Sequence, residues 1–255
     1  MKFPKVSTNQ AAPLLLLGAG AVLIGVALGT DRGGITSAAV VIAGAICFFS
    51  GVFLLTFAGE ETFDTKIIAL LPVQGTINLC RITADLGIHG NAWFLPEGYH
   101  EETGVQQIVP VAQYDKKPVS GDSFIVAGCG GVLVPPACAA LLSDLRARCS
   151  LAVPAEAAGV DALFAELGTE VLGCADAVHV TRRDNLVTIT LAGYRFTEGC
   201  RETARESPRC CTMYPCPVCS LFAVILAESE DKPVEMIRCE PAEKGDDVTA
   251  VFSYS

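Results

Sequence analysis

The sequence is short of basic residues and of histidine. Its 255 residues include 18 lysines and arginines against 28 aspartates and glutamates, which gives a formal net charge of −10. Binding to nucleic acid requires a clustered basic face that neutralises phosphates. Here the adjacent basic pairs Lys116-Lys117 and Arg182-Arg183 stand isolated in the sequence. These features exclude a nucleic-acid partner.

Motifs of hydrolytic and nucleotide chemistry are also missing. The histidines His89, His100 and His179 lie apart from one another, and no serine–histidine–acid set or paired-carboxylate spacing stands out. The glycine-rich stretch from Ser123 to Pro136 lacks the Lys-Ser/Thr ending and the glycine spacing of nucleotide-binding loops. It predicts instead two short strands around a tight turn.

Two long apolar runs are present near the N-terminus, at residues 11–29 and 35–57, and neither has a charge in its interior. A helix of about 20 apolar residues crosses the roughly 30 Å of hydrocarbon in a bilayer. The polar residues Thr30 to Gly34 separate the two runs. We therefore predict an N-terminal transmembrane helical hairpin within residues 1–58, with the lipid bilayer as its partner.

Small residues in the first run recur at the spacing of one helical face. Ala21, Gly25 and Gly29 are four residues apart, and Ala39 and Ala43 repeat the pattern in the second run. Small residues at this spacing let two membrane helices approach closely. The pattern predicts that these two faces pack against each other.

The few charges near the spans predict their orientation. Lys2 and Lys5 precede the first span, whereas Arg32 in the turn is offset by Asp31. The positive-inside rule then places the N-terminus in the cytoplasm, and the hairpin returns the chain there. A signal peptide is the competing interpretation of the first run, but no small-x-small cleavage site precedes Asp31. An exported domain with paired disulfides is a further alternative.

After an acidic linker at residues 59–66, the pattern changes to that of a soluble domain at residues 67–255. Alternating apolar residues bounded by turn residues predict antiparallel hairpins, most clearly at Leu186 to Leu191, where Val187, Ile189 and Leu191 fall on one face. Residues 66–71 fit either a strand or a helix end. The domain is predicted to be α+β, with helices packed on one face of its hairpins. The predicted strands lie at 90–95, 105–111, 177–181, 186–191, 233–239 and 248–254, and the predicted helices at 76–86, 136–148, 160–167 and 220–227.

The most distinctive feature of the soluble part is its cysteine content. The chain has 12 cysteines, and five of them lie between Cys200 and Cys219. Thiolates bind zinc and iron–sulfur clusters, and a C-x-x-C turn places two sulfurs on one metal. We therefore predict a metal site of zinc or iron–sulfur type, although the spacing matches no standard zinc knuckle. Its candidate ligands are Cys210, Cys211, Cys216 and Cys219, with Cys200 as a further candidate.

Two other interpretations of these cysteines stay open. Pro217 suits the first turn of a helix, so Cys216 would lie at a helix N-terminus, where the dipole favours a thiolate. Cys216 would then be the nucleophile and Cys219 the resolving thiol of a thiol–disulfide oxidoreductase. Alternatively, the cysteines are buried, inert packing residues, and the protein is a membrane scaffold.

The order of features from about Leu186 onward resembles a known domain. A hairpin strand, a cysteine-bearing apolar helix at Cys216 to Ala227, a strand at Glu235 to Cys239, the turn Gly245-Asp246 and a last strand follow one another. This order is similar to the small-molecule-binding domain named after bacteriochlorophyll 4-vinyl reductase. The resemblance implies a pocket between helices and sheet for an apolar or aromatic ligand, or a cysteine-based metal or redox sensor. Many members carry a cysteine after the Gly-Asp turn, and its absence from Val248 to Val251 argues against a metal site that uses that position.

The whole chain also resembles uncharacterised two-span archaeal membrane proteins, which imply no particular activity. Together, the features predict a membrane-anchored cytoplasmic sensor or ligand-binding domain, metal- or redox-responsive through its cysteines, rather than an enzyme. An apolar small molecule is the predicted ligand. Homo-oligomerisation stays open.

Overall fold

The computed structural model describes residues 8–29, 35–58, 64–120 and 130–254. It separates into two compact units, Met1–Phe63 and Asp64–Ser255. The predicted polar turn at 30–34, most of the predicted linker and residues 123–129 of the predicted glycine-rich stretch lie outside the described residues.

The first unit contains two helices that pack against each other, α1 (Thr8–Gly29) and α2 (Ile35–Ala58). The contact between them includes Gly20, Gly44 and Gly51, and a Cβ atom on Gly20 would lie 2.7 Å from the backbone nitrogen of Phe48. A Cβ on Gly25 or Gly29 would meet nothing within 4 Å. The predicted packing face through Gly25 and Gly29 was therefore wrong. The contact runs instead through Gly20, which is about 100° around the helix from Ala21.

Three helical segments of the described chain are long and apolar enough to cross a membrane: Ala12–Gly29, Ala38–Leu55 and Thr65–Asp85. The first two are the predicted spans, and they associate the chain with membranes. The third was not predicted as a span. It consists of two short helices, α3 (Thr65–Leu70) and α4 (Val73–Asp85), at the start of the second unit.

The second unit is built on one seven-stranded antiparallel sheet with the strand order β3-β2-β1-β6-β7-β5-β4. The strands that the sequence predicts from alternation are present, and Val187, Ile189 and Leu191 are buried on one face as expected. The strands are β1 (Trp93–Leu95), β2 (Gln106–Pro110), β3 (Gly131–Val134), β4 (Ala177–Arg183), β5 (Leu186–Ala192), β6 (Val234–Pro241) and β7 (Val248–Tyr254).

Helices cover the buried face of this sheet. The central one is α9 (Pro217–Glu230), which is buried from Val218 to Ala227 and contacts β1, β6 and β7. It contacts α5 (Ala139–Cys149) and α6 (Ala157–Glu166). The other helical elements here are a π-helical turn (Leu167–Val171), α7 (Thr197–Glu206) and α8 (Pro208–Met213). The predicted α+β class is confirmed. The sequence did not predict α7 and α8, and residues 66–71 lie in helical rather than extended structure.

Candidate functional site

Two short helices before α9 place the first cysteines of the site. The extended residue Ser207 ends α7, and its hydroxyl accepts a hydrogen bond from the Arg209 amide at 3.3 Å. Pro208 occupies the first helical position of α8, where its missing N–H costs nothing. This Ser-Pro pair starts α8 as soon as α7 ends, so that Cys200 and Cys211 come from two neighbouring helices.

The third helix places the C-x-x-C pair. Cys216 is the extended residue before α9, and Pro217 occupies the first turn. Cys219 lies one turn into the helix and is fully buried, whereas Cys216 is partly exposed. The predicted position of Cys216 at a helix N-terminus is confirmed, so its sulfur lies at the positive end of the helix dipole.

Five thiols meet where these helices approach strand β6. The Cys219 and Cys239 sulfurs are 3.8 Å apart. Electrostatic interactions also couple Cys200 to Cys216, Cys216 to Cys219, and Cys211 to Cys239, and the Cys211 thiol donates to the Cys200 carbonyl at 4.0 Å. We call this set the thiol cluster: Cys200, Cys211, Cys216, Cys219 and Cys239.

The structure brings together four of the five cysteines that the sequence singled out, and it separates the fifth. Cys210 and Cys211 are adjacent in α8, so their side chains point about 100° apart. Cys211 joins the thiol cluster, whereas Cys210 faces α4, where its thiol hydrogen-bonds with that of Cys80. The Cys80 sulfur also donates to the Cys210 carbonyl at 3.8 Å.

Sequence reasoning did not include Cys239 among the candidate ligands. Val234 and Met236 face the core, and strict alternation would continue with Arg238. A register shift between Met236 and Arg238 breaks the alternation, so that Arg238 is exposed and Cys239 is buried. Such a β-bulge turns the following side chain to the other face.

The hydrogen bonds within the cluster favour thiolates at two positions. Donation from the Cys200 and Cys219 thiols lowers the pKa of Cys216 well below its ordinary value, against the opposing effect of burial. The Tyr194 hydroxyl, 3.6 Å from the Cys216 sulfur, adds to this shift. Donation from Cys211 and Cys219 lowers the pKa of Cys239 to about 6.

The remaining three thiols are held neutral. The pKa of Cys200 is raised by its hydrogen bond to Cys216 and by burial. The pKa of Cys219 is raised by hydrogen bonds to Cys216 and Cys239 and by burial, and that of Cys211 by its hydrogen bond to Cys239 and by burial. The Cys219 thiol has a single proton, so it donates either to Cys216 or to Cys239 at any one time.

An apolar cavity of about 340 Å³ adjoins the thiol cluster. Four cluster thiols line it, and its described wall contains no Asp, Glu, Lys, Arg or His. The side facing away from the cluster is formed by α3 and α4, through residues such as Ile68 and Val73. Tyr194 contributes the hydroxyl that contacts Cys216, and its ring packs edge-on against Phe196 at 5.6 Å.

The geometry of the cluster suits thiol chemistry, and it fits a metal site only in part. Tetrahedral zinc with sulfurs at about 2.3 Å has sulfur–sulfur edges of about 3.8 Å, which matches the distance between Cys219 and Cys239. Within the described ranges, however, no three metal-binding side chains converge as a formed metal site. The thiols are arranged as a chain rather than around one point.

A known protein would suggest a function for the thiol cluster only if it had cysteines at the same positions. No curated protein and no solved structure matches the chain with significant similarity. A sequence family does match, over residues 5–254. The prediction of an uncharacterised family is confirmed: the chain belongs to the family described as Domain of unknown function (DUF7982).

Proposed function

We propose that the protein is a membrane-anchored ligand-binding sensor whose soluble unit takes an apolar small molecule into the cavity beside the thiol cluster. The observation that carries the proposal is the cavity itself, whose wall is mainly apolar and includes four thiols. Binding sites for small molecules typically enclose about 300–1,000 Å³ and are lined mainly by hydrophobic side chains with a few polar groups. Here the polar groups are the thiols and the Tyr194 hydroxyl.

The thiols would make the sensor responsive to redox state. Cys216 lines the cavity and is partly exposed, so an occupant of the cavity shields its sulfur from solvent. Oxidants attack thiolates in preference to thiols. Ligand occupancy and the oxidation of Cys216 are therefore coupled in the proposed sensor.

The resemblance of the last third of the chain to the 4-vinyl reductase-type domain supports this proposal, because it implies a pocket for an apolar or aromatic ligand. The order of hairpin, cysteine-bearing helix and strand on which it rests corresponds to β5, α9 and β6. Archaeal origin belongs to the same proposal and rests on the resemblance of the whole chain to two-span archaeal membrane proteins.

We further propose that α1 and α2 are the two membrane spans and that both termini are cytoplasmic. Lys2 and Lys5 support this orientation through the positive-inside rule. A protease added to the outside of intact cells should then leave a C-terminal tag uncleaved. Cleavage of the tag without permeabilisation would contradict this orientation.

The ligand proposal is tested with 1-aminoanthracene, an uncharged fluorescent probe, added to the full chain in lipid nanodiscs. We expect a saturable fluorescence increase above the non-saturable partition into lipid. Val73→Trp places a larger side chain in the cavity wall and should weaken the saturable binding at least about tenfold, equivalent to about 1.4 kcal/mol.

The matched control is Leu186→Trp, since Leu186 is an exposed residue of β5 that does not line the cavity. This variant should bind the probe like the unaltered chain. Equal binding by both variants, or no saturable binding by the unaltered chain, would overturn the proposal.

A second candidate function is thiol–disulfide exchange, which the lowered pKa of the partly exposed Cys216 favours. In this reaction the Cys216 thiolate attacks one sulfur of a substrate disulfide, forms a mixed disulfide and releases the other sulfur as a thiolate. Cys219 then loses its proton, attacks the Cys216 sulfur and releases the second thiolate. Glutathione disulfide is the test substrate for the reduced protein, which one exchange leaves as the Cys216–Cys219 disulfide. Release of glutathione that persists in Cys216→Ser excludes this function.

Metal binding by the thiol cluster, as zinc or an iron–sulfur centre, is proposed as the means by which the sensor responds. The thiols that meet in space are Cys200, Cys211, Cys216, Cys219 and Cys239, and the predicted ligand Cys210 is turned away from them. The separation of the Cys219 and Cys239 sulfurs supports a shared metal.

A further inference from the structure

The helices α3 and α4 expose an apolar face. Its exposed fractions reach 75% at Leu71, 61% at Ile67 and 57% at Ile82. Soluble proteins rarely leave a contiguous apolar patch uncovered unless it binds something. We call this set the outer face: Ile67, Leu70, Leu71, Leu79, Ile82 and Leu86.

The opposite side of the same segment is packed into the soluble unit. Ala69, Ile77 and Cys80 are buried, and the helices contact α7 and α8. A Cβ on Gly199 in α7 would collide with the Ala69 carbonyl oxygen, which shows how closely α3 approaches α7. One side of the segment is therefore buried against other helices of the same unit.

The segment also has polar contacts at positions that are exposed to water. Arg81 pairs with Glu206 of α7 at 2.5 Å, and both side chains are exposed. The Gln74 amide donates to the Asn78 side chain at 2.9 Å, also at an exposed position. A helix with one apolar face and one polar or packed face is suited to the bilayer interface rather than to a span.

The chain connection restricts which partner can cover the outer face. Six residues separate the end of α2 at Ala58 from the start of α3 at Thr65. Fully extended, this connection reaches about 25 Å. Because α2 is apolar enough to cross a membrane, α3 begins within that distance of a bilayer, and lipid is the apolar phase present at the highest concentration.

We propose that the outer face of α3 and α4 lies in the bilayer interface, at the boundary between headgroups and acyl chains. The same two helices form one wall of the cavity through Ile68, Pro72 and Val73. The cavity is thereby next to lipid, and its ligand class is a lipid-soluble molecule that enters from the membrane. This last step rests on the proposed function, whereas the position of the outer face does not.

The test uses tryptophan emission from the full chain in vesicles made with brominated phosphatidylcholine. Bromine quenches a nearby tryptophan, and it can be placed either near the headgroup or near the end of the acyl chain. Leu71→Trp and Ile82→Trp introduce the reporters, and the buried native Trp93 provides the background signal in the unaltered chain. Leu186→Trp is the control at an exposed apolar position elsewhere in the soluble unit.

We expect the emission added at positions 71 and 82 to lose most of its intensity with bromine near the headgroup and less with bromine near the chain end. The emission added at position 186 should be unchanged by either lipid. Stronger quenching of position 82 by bromine near the chain end would show a third span and overturn the proposal. No quenching at either position would place the face in water or against a second copy of the chain, and would also overturn it.

The two proposals fail separately. Saturable probe binding without quenching at positions 71 and 82 would support the cavity as a ligand site and reject the position of the outer face in the bilayer interface. Quenching without saturable probe binding would support that position and reject the ligand site.

Discussion

At the scale of single residues, the thiol cluster is a set of coupled groups. Cys216 and Cys239 carry lowered pKa values because neighbouring thiols donate hydrogen bonds to them. The donors carry raised pKa values for the same reason. Removing one proton donor therefore changes the titration of its partner as well as its own, and the cluster responds as a unit.

We predict that Cys216 of the metal-free protein is alkylated at pH values where ordinary thiols are still protonated. An unperturbed thiol has a pKa of about 8.5, and the pKa of Cys216 is well below its ordinary value. The alkylation rate by iodoacetamide, followed by peptide mass spectrometry across pH, should reach its midpoint below that of a free cysteine. Tyr194→Phe removes one hydrogen-bond donor and should move the midpoint upward.

Cys149, which is exposed at the end of α5, serves as the internal reference for reagent access. A midpoint for Cys216 at or above that of free cysteine would contradict the hydrogen-bonded thiolate.

The lowered pKa of Cys239 also determines the direction in which pH changes the stability of the fold. Because the folded pKa of Cys239 is about 6, its contribution to stability is complete above the unfolded value and is lost as pH falls through about 6.

At the scale of elements, α3 is held against α7 at a glycine. We predict that Gly199→Ala destabilises the second unit by about 1–3 kcal/mol, because the added methyl group overlaps the Ala69 carbonyl and must push the helices apart. Thermal unfolding of the full chain, followed by the emission of the buried Trp93, measures the effect.

Gly75→Ala is the matched control, since a Cβ on Gly75 in α4 meets nothing within 4 Å. Alanine in an exposed helix interior is about 0.5–1 kcal/mol more favourable than glycine, so this variant should be slightly more stable. Equal unfolding temperatures for the two variants would show that α3 is not seated on α7 as described.

The elements differ in how far their sequences specify them. Strand β5 is visible because Val187, Ile189 and Leu191 alternate with polar residues, and the alternation is obeyed. Strand β6 contains a bulge that depends on its pairing with β7, so no local pattern places Cys239 in the core. The Ser207-Pro208 pair is a recognisable helix start, and it is the sequence signal from which α8 could have been predicted.

At the scale of the whole molecule, features that depend on composition can be predicted from the sequence, whereas features that depend on which residues touch cannot. Apolar runs long enough to span a bilayer are visible in the sequence, whereas the face on which α1 meets α2 depends on the fit of Gly20 to the backbone near Phe48. The membership of the thiol cluster likewise depends on how three helices and one strand are brought together. Four of its five members lie in the predicted stretch, and the fifth comes from β6.

The thiol cluster joins α7, α8, α9 and β6, so a metal bound there would stabilise the whole second unit. Ligands that bind only the folded state raise the unfolding temperature, and thiolate metal sites couple binding to folding. We predict that zinc added to the metal-free full chain under reducing conditions binds at about one ion per chain and raises this temperature. Anaerobic reconstitution with iron and sulfide distinguishes the other centre through its visible absorbance.

The variant Cys219→Ser removes a sulfur from the middle of the cluster and should abolish both the bound metal and the thermal shift. Cys149→Ser, outside the cluster, should change neither. Substituting Cys210 discriminates further, because its thiol faces Cys80 rather than the cluster, so Cys210→Ser should retain the metal. If the unaltered chain takes up no metal and shows no shift, the five thiols act without a metal. The hydrogen-bonded thiolates of Cys216 and Cys239 would then be the only chemical response that this arrangement of thiols offers.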